Sequence, residues 1–205
     1  MYFTAKARYN HRSFDDNPDG LKLVWLPKED GKHIPCLLYR DSNFADKKVI
    51  VYFHGSYEDL GWEGMTDDIV EMAHMWRMSV LCVEYPGYGL NFNRGIATPA
   101  DIKLDACKVI NYLRYDLGLR GKDIILMGRS LGTGVALHCS IAMDEQPCAL
   151  IIVSPFTSIR DVVKDKNSCV GSLLTKQHFN SGSIIQYIQS PLYIVHGMLD
   201  PLVLV

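Results

Sequence analysis

The chain has 205 residues, 48% of them hydrophobic, with a formal net charge of −2 and an isoelectric point near 6.4. That length predicts one domain built on a single hydrophobic core, and the near-neutral balance gives no electrostatic case for nucleic acid or an anionic membrane as partner. The six cysteines (Cys36, Cys82, Cys107, Cys139, Cys148 and Cys169) form no C-x-x-C pair and no ligand spacing with histidine, so no metal and no disulfide framework is expected.

Residues 1–20 are polar and end in the turn cluster Asp15-Asp16-Asn17-Pro18-Asp19-Gly20. The opening MYFTAKARYN lacks the apolar centre of a secretory signal, and no apolar run approaches membrane-spanning length, so a cytoplasmic address is expected. Leu21–Leu26 and Ile34–Tyr39 flank a polar stretch and read as an antiparallel pair. Val49–Phe53 is nearly all apolar, as suits a strand buried on both faces of a parallel sheet, and it ends in His54-Gly55-Ser56. Ile69, Met72, Ala73 and Trp76 then fall on one helical stripe, with Thr66 as the expected N-cap. Ser79–Val83 is the next strand, running into the turn Glu84-Tyr85-Pro86-Gly87-Tyr88-Gly89.

Thr98-Pro99-Ala100-Asp101 has the form of a helix start, with a capping threonine, a proline at the first position and an acid three residues after the cap. Ile102, Ala106, Val109, Ile110 and Leu113 make that helix's inward face, and Gly118 is a fitting stop. Ile124–Met127 reads as a strand and Val135–Met143 as a helix. Ala149–Val153 is another buried strand. Residues 155–190 form an irregular insertion, and Pro191 precedes a last strand, Leu192–Val195, that ends in His196-Gly197-Met198-Leu199-Asp200. Strands alternating with helices after an initial pair of strands predict an α/β fold, a mostly parallel sheet with helices on both faces. Active groups in such sheets gather at the carboxyl ends of the strands.

Between Met127 and Val135 lies Gly128-Arg129-Ser130-Leu131-Gly132, a G-x-S-x-G. A serine on a very sharp strand-to-helix turn adopts a strained backbone, and the residues two before and two after it approach too closely for side chains. Such a turn presents the Ser130 hydroxyl above the sheet. It also aims the Leu131 N–H, at the positive end of a helix, where an oxyanion would form. Gly128, Gly132 and Gly134 also spell G-x-x-x-G-x-G, the pattern of a dehydrogenase cofactor loop. That loop follows a first strand and works with a downstream Tyr-x-x-x-Lys, whereas the only such spacing here is Tyr2 to Lys6.

The stretches YFHGS, EYPGYG, GRSLGTG, SPFTSIRD and PLYIVHGMLDPLV follow one another from Val49 to Val203. In this order they resemble the α/β-hydrolase superfamily, and more narrowly its serine-aminopeptidase-like branch and the α/β-hydrolase-domain palmitoyl-protein thioesterases. The resemblance implies a hydrolase domain over residues 21–205, with Ser130 as nucleophile and Asp200 as the acid that orients a histidine. It implies an oxyanion hole from the N–H groups of Ser56 and Leu131, and no cofactor. The implied reaction is hydrolysis of an acyl ester or thioester through an acyl-enzyme. The expected substrate is an acylated protein or a small acyl ester. The chain is expected to act as a monomer, with peripheral membrane contact through its substrate. Phe156, Ile159, Val162 and Val163 are the candidates to line an acyl groove.

The superfamily's triad runs Ser, acid, His, and this sequence has no residue after Val205. Of its seven histidines, His11 and His33 are near the N-terminus, His54 and His196 end strands, and His74 and His138 sit in helices. His178, in the insertion, is the one that could swing toward Ser130. The expectation is therefore an incomplete domain, ending before its last strand and helix and poorly active without its base. Peptidase action on short peptides and a non-catalytic binding scaffold are the competing readings.

Overall fold

A computed structural model describes residues 9–10, 14, 20–28, 31–40, 47–62, 64–92, 98–158 and 179–200. Among them seven strands form one sheet in the order β1-β2-β4-β3-β5-β6-β7. The strands are β1 (Leu21–Pro27), β2 (His33–Tyr39), β3 (Val49–Phe53), β4 (Ser79–Val83), β5 (Ile124–Arg129), β6 (Ala149–Val153) and β7 (Leu192–Val195). The hairpin β1–β2 and the β2–β4 pair are antiparallel, and every pair from β4 to β7 is parallel. This is the α/β-hydrolase fold, as the motif order implies. The apolar runs explain the layout, because a strand such as β3, buried at all positions, is stable only where both faces of the sheet are covered.

Two clusters supply that cover, and side-chain alternation assigns the strands β1 to β6 to both. Val49, Val51 and Phe53 pack with Leu126, Ile152 and the helices α2 (Pro99–Asn111) and α3 (Leu131–Ala142) on one face. Ile50, Tyr52, Cys82 and Ile125 pack with α1 (Met65–Trp76) on the other. At the far edge, β7 is less covered: Tyr193, Ile194 and Val195 are 61%, 55% and 55% exposed.

The second helix follows its sequence signals closely. Thr98 accepts from the Asp101 N–H at 3.2 Å and Pro99 occupies the first position. Ile102, Ala106, Val109, Ile110 and Leu113 are all buried. After a π-turn over Tyr112–Asp116, left-handed Gly118 lets the Leu119 N–H close onto the Leu113 carbonyl at 3.0 Å.

The start of α1 differs from expectation. Its cap is Gly64, left-handed at φ 89°, and Thr66 lies inside the first turn. The helix is launched by backbone turns, with the Met65 N–H on Trp62 O and the Asp68 N–H on Gly64 O, so no side-chain cap is used. Tyr9 and Phe14, from the stretch that reads as polar, pack into the α1-side cluster and meet edge-on at 5.7 Å.

Candidate active site

Ser130 sits between β5 and α3 with φ 49° and ψ −116°, a backbone conformation outside the allowed regions for an L-residue. The closeness that forces glycine on its neighbours is measurable. A Cβ on Gly132 would stand 1.9 Å from the Phe53 carbonyl oxygen, and one on Gly128 would stand 2.2 Å from the Gly132 oxygen. The turn is pinned by the Ser130 N–H on Val153 O at 2.9 Å and by the Thr133 hydroxyl on Ser130 O at 2.6 Å. Strain of this kind is held at about 1–3 kcal/mol by its surroundings. Ser130→Gly is therefore expected to raise stability by about 1 kcal/mol over Ser130→Ala, which keeps the strained Cβ, as read from urea midpoints. Equal midpoints for the two variants would mean that the turn stores no strain.

The turn after β3 lies directly over the start of α3, because the same Gly132 position abuts both Phe53 O and His54 O. Gly55 to Glu58 closes as a turn with Ser56 and Tyr57 at its corners, the Glu58 N–H reaching Gly55 O at 3.3 Å. The Glu58 carboxylate, 8% exposed, accepts the Gly55 N–H at 2.7 Å and is ion-paired with Arg129. The residue beside the nucleophile thus braces the turn that carries Ser56. Ser56 is half-buried, and Leu131, at the amino end of α3, is buried. The structure therefore brings the two expected oxyanion segments against each other.

Behind this turn lies a polar network with a fully buried centre at His54 and Glu84 and the half-buried Tyr9 at its outer end. His54 Nδ1 faces the Gly55 carbonyl at 2.8 Å, and His54 Nε2 faces Glu84 Oε1 at 3.0 Å. A carbonyl only accepts, so Nδ1 carries a proton, and the Nε2–Glu84 contact holds one further proton between its two atoms. The pair is net neutral wherever that proton resides. Glu84 Oε2 accepts from the Tyr9 hydroxyl at 2.8 Å and the Leu60 N–H at 3.1 Å. Burial, followed by the Glu84 charge, raises the Tyr9 phenol well above its ordinary value, so Tyr9 stays a neutral donor. The Tyr85 ring stacks on His54 at 4.2 Å while its hydroxyl donates to His54 O at 2.8 Å.

Asp200 follows β7 and faces His196 Nε2 at 3.7 Å. Strand spacing sets β7 about 10 Å from β5 across the sheet. Phe156 is 7% exposed and belongs to the core cluster. Ile159, Val162, Val163 and His178 lie outside the described residues. No histidine among the described residues is hydrogen-bonded to the Ser130 hydroxyl, and no metal-binding group of three side chains occurs among them. No helix there is long and apolar enough to cross a membrane.

Sequence reasoning missed Glu58, Arg129, Glu84 and Tyr9. Glu84 had one available signal, a charged residue directly after a buried strand. Tyr9 had none, since its partner is 75 residues away.

No protein-family model matches the chain. A putative alpha/beta hydrolase of Acanthamoeba polyphaga mimivirus is 28% identical over 194 residues, covering 94% of this chain and 70% of that protein. Human alpha/beta hydrolase domain-containing protein 17B is 27% identical over 206 residues, 99% of this chain and 66% of its own length. The Macaca fascicularis lysophosphatidylserine lipase ABHD12 is 26% identical over 199 residues, 88% of this chain and 48% of the lipase. The chain thus spans about half to seven tenths of the relatives it matches. A Pyrococcus furiosus esterase superposes with a TM-score of 0.69 at 18% identity, covering 98% of this chain and 77% of the esterase.

Proposed function

From an α/β-hydrolase fold with a strained serine at its elbow, we propose that this chain carries the nucleophile of a serine hydrolase of acyl esters or thioesters. Its best-fitting substrate is a palmitoylated protein. One observation carries the reading. Gly132 is seated against the Phe53 and His54 carbonyls, which sets the Ser56 turn beside the Leu131 N–H at the amino end of α3. The Ser130 oxygen attacks the acyl carbon, its proton passes to a base, and the oxyanion is met by backbone N–H groups. The thiol or alcohol then leaves, and water releases the acid from the acyl-serine. Asp200 is the acid that orients the base.

The substrate class rests on three supports. The relatives include a lipase and the structural neighbours an esterase. Two aromatic side chains in the segment after Ser56, Tyr57 and Trp62, are 60% and 53% exposed, as suits contact with an acyl chain or the membrane presenting it. Among the described residues, the buried carboxylates near the elbow are engaged elsewhere, Glu58 by the Gly55 N–H and Arg129 and Glu84 by His54 and the Leu60 N–H, which ranks recognition of a free amino terminus, and so peptidase action, lower.

The test uses the protein isolated intact from its own cells. A palmitoyl-thioester peptide, a short nitrophenyl ester and a dipeptide anilide are compared, and a fluorophosphonate adduct is mapped by peptide mass. The expected result is an adduct on Ser130 and a higher kcat/KM for the thioester than for the anilide. Faster anilide cleavage would overturn the substrate class. An adduct elsewhere, or none with no turnover, would overturn the hydrolase reading.

A further inference from the structure

The sheet face that carries α1 holds a cavity of about 320 Å³ beside the elbow strand. Strand register sets its floor. Tyr52 on β3 pairs with Met127 on β5, and Arg129 on β5 pairs with Val153 on β6, so side-chain alternation brings all four to one face. Its wall is α1, where Asp68, Glu71, Met72 and Met75 are three or four residues apart and share one side of the helix. Trp76, one turn beyond Met72, completes that wall. Met75 is 68% exposed, so the cavity is a trough open to solvent. Ser130 does not line it.

Three features mark the trough as a place for a ligand. Tyr52 is 7% exposed and its side chain lies on the α1 face, yet its hydroxyl has no hydrogen-bond partner among the described residues. Buried polar groups are paired as a rule, as Tyr9 is with Glu84 and Tyr85 with the His54 carbonyl, so a guest that bonds Tyr52 meets a need the fold leaves open. Burial raises the Tyr52 phenol well above its ordinary value, which keeps it protonated and able both to donate and to accept. The charges are also unequal. Glu58 neutralises Arg129, whereas Asp68 and Glu71 enter no ion pair among the described residues. Between these polar groups the walls are apolar and adaptable, with the thioethers of Met72, Met75 and Met127 and the ring of Trp76.

The geometry points to an amphiphilic organic cation as the occupant of this trough, a primary ammonium carried on a small aromatic or alkyl body. The ammonium lies against the Asp68 and Glu71 carboxylates, and the Tyr52 hydroxyl accepts a remaining N–H. The apolar body packs on the three methionines and on Trp76, whose ring also attracts the positive charge. Ligand pockets run from about 300 to 1,000 Å³, so a cavity of about 320 Å³ suits one ring with a short chain and not a long acyl chain. An anion is repelled by the same two carboxylates and reaches Arg129 only in competition with Glu58. The site stands apart from the hydrolase reading, since no part of this recognition uses Ser130.

The experiment measures binding to the full chain by calorimetry with three probes. Phenethylamine, 2-phenylethanol and 3-phenylpropionate share a ring and a short chain and differ in charge. The expected order of affinity is amine, alcohol, carboxylate, with the amine about tenfold tighter than the alcohol. Asp68→Asn combined with Glu71→Gln, both on the exposed side of α1, is expected to abolish that preference without lowering Tm. A second measurement needs no variant. In the wild-type chain labelled at its methionine methyls, the amine is expected to shift Met72, Met75 and Met127 and to leave Met143 and Met198 in place. Equal affinity for amine and alcohol, or a preference that survives the double substitution, would overturn the cation as occupant. Shifts confined to other methionines, or no saturable binding of any probe because another part of the chain fills the trough, would overturn the site itself.

Discussion

Gly132→Ala is expected to leave the chain largely unfolded or misassembled, with a loss of about 3 kcal/mol or more in urea-monitored stability. The added methyl would sit 1.9 Å from Phe53 O, 2.5 Å from Phe53 C and 2.9 Å from His54 O, all backbone atoms of β3 and the turn after it. No rotamer change relieves contacts with backbone, so either α3 lifts from the sheet or the end of β3 moves. Each breaks parallel pairing at the middle of the sheet, where β3 bonds to both β4 and β5. Typical stabilities are about 5–15 kcal/mol, so a loss of this size shifts a large part of the population. Gly182→Ala is the matched control. Its nearest neighbour would be 3.9 Å away, and a change within about 0.5 kcal/mol is expected. Similar midpoints for the two variants would mean that the elbow glycine is a loop residue and that the packing of turn on helix does not hold this site.

The sequence carried the fold well because its signals are local and mutually consistent. Apolar runs of strand length, the Thr98-Pro99 start and the Gly118 stop each name their own element without knowledge of the rest. The elbow was legible for the same reason: two glycines flanking a serine between a strand and a helix encode a close approach that the structure shows at Phe53 and His54. What stayed hidden is what depends on distant partners. Thr66 looked like a cap, but the backbone turn from Trp62 to Gly64 starts α1 before a side chain is needed. Arg129 occupies a variable position of the motif, and its role follows only from the approach of Glu58. Tyr9 fell in a stretch whose composition is polar, yet its ring fills the space over Gly61 and Gly89.

Glu84→Ala is expected to cost about 3–5 kcal/mol, the range for removing one partner of a buried ionic pair. His54 and Glu84 are both 0% exposed, so the deletion strands His54 Nε2 and the Leu60 N–H in the interior and removes the acceptor of the half-buried Tyr9 hydroxyl as well. Glu84→Gln is expected to be far milder, about 1 kcal/mol. The contact holds one proton between carboxyl and imidazole, and the glutamine amide supplies an N–H in that place while its carbonyl still accepts from Leu60 and Tyr9. Tyr9→Phe removes a single donor to the carboxylate and is expected to cost about 1.5 kcal/mol. The order Ala, then Phe at residue 9, then Gln in urea midpoints is the signature of a network satisfied by proton sharing. A Gln variant as damaged as the Ala variant would instead place a full imidazolium–carboxylate pair at this position. The consequence reaches the site, because His54 lies in the chain between β3 and Ser56 and its carbonyl faces Gly132 and the Tyr85 hydroxyl. In a hydrolase of the kind proposed, a loosened His54 turn misplaces the Ser56 N–H while leaving substrate-contacting side chains intact. Glu84→Ala is therefore expected to lower kcat by more than it raises KM, measured on whatever folded fraction remains.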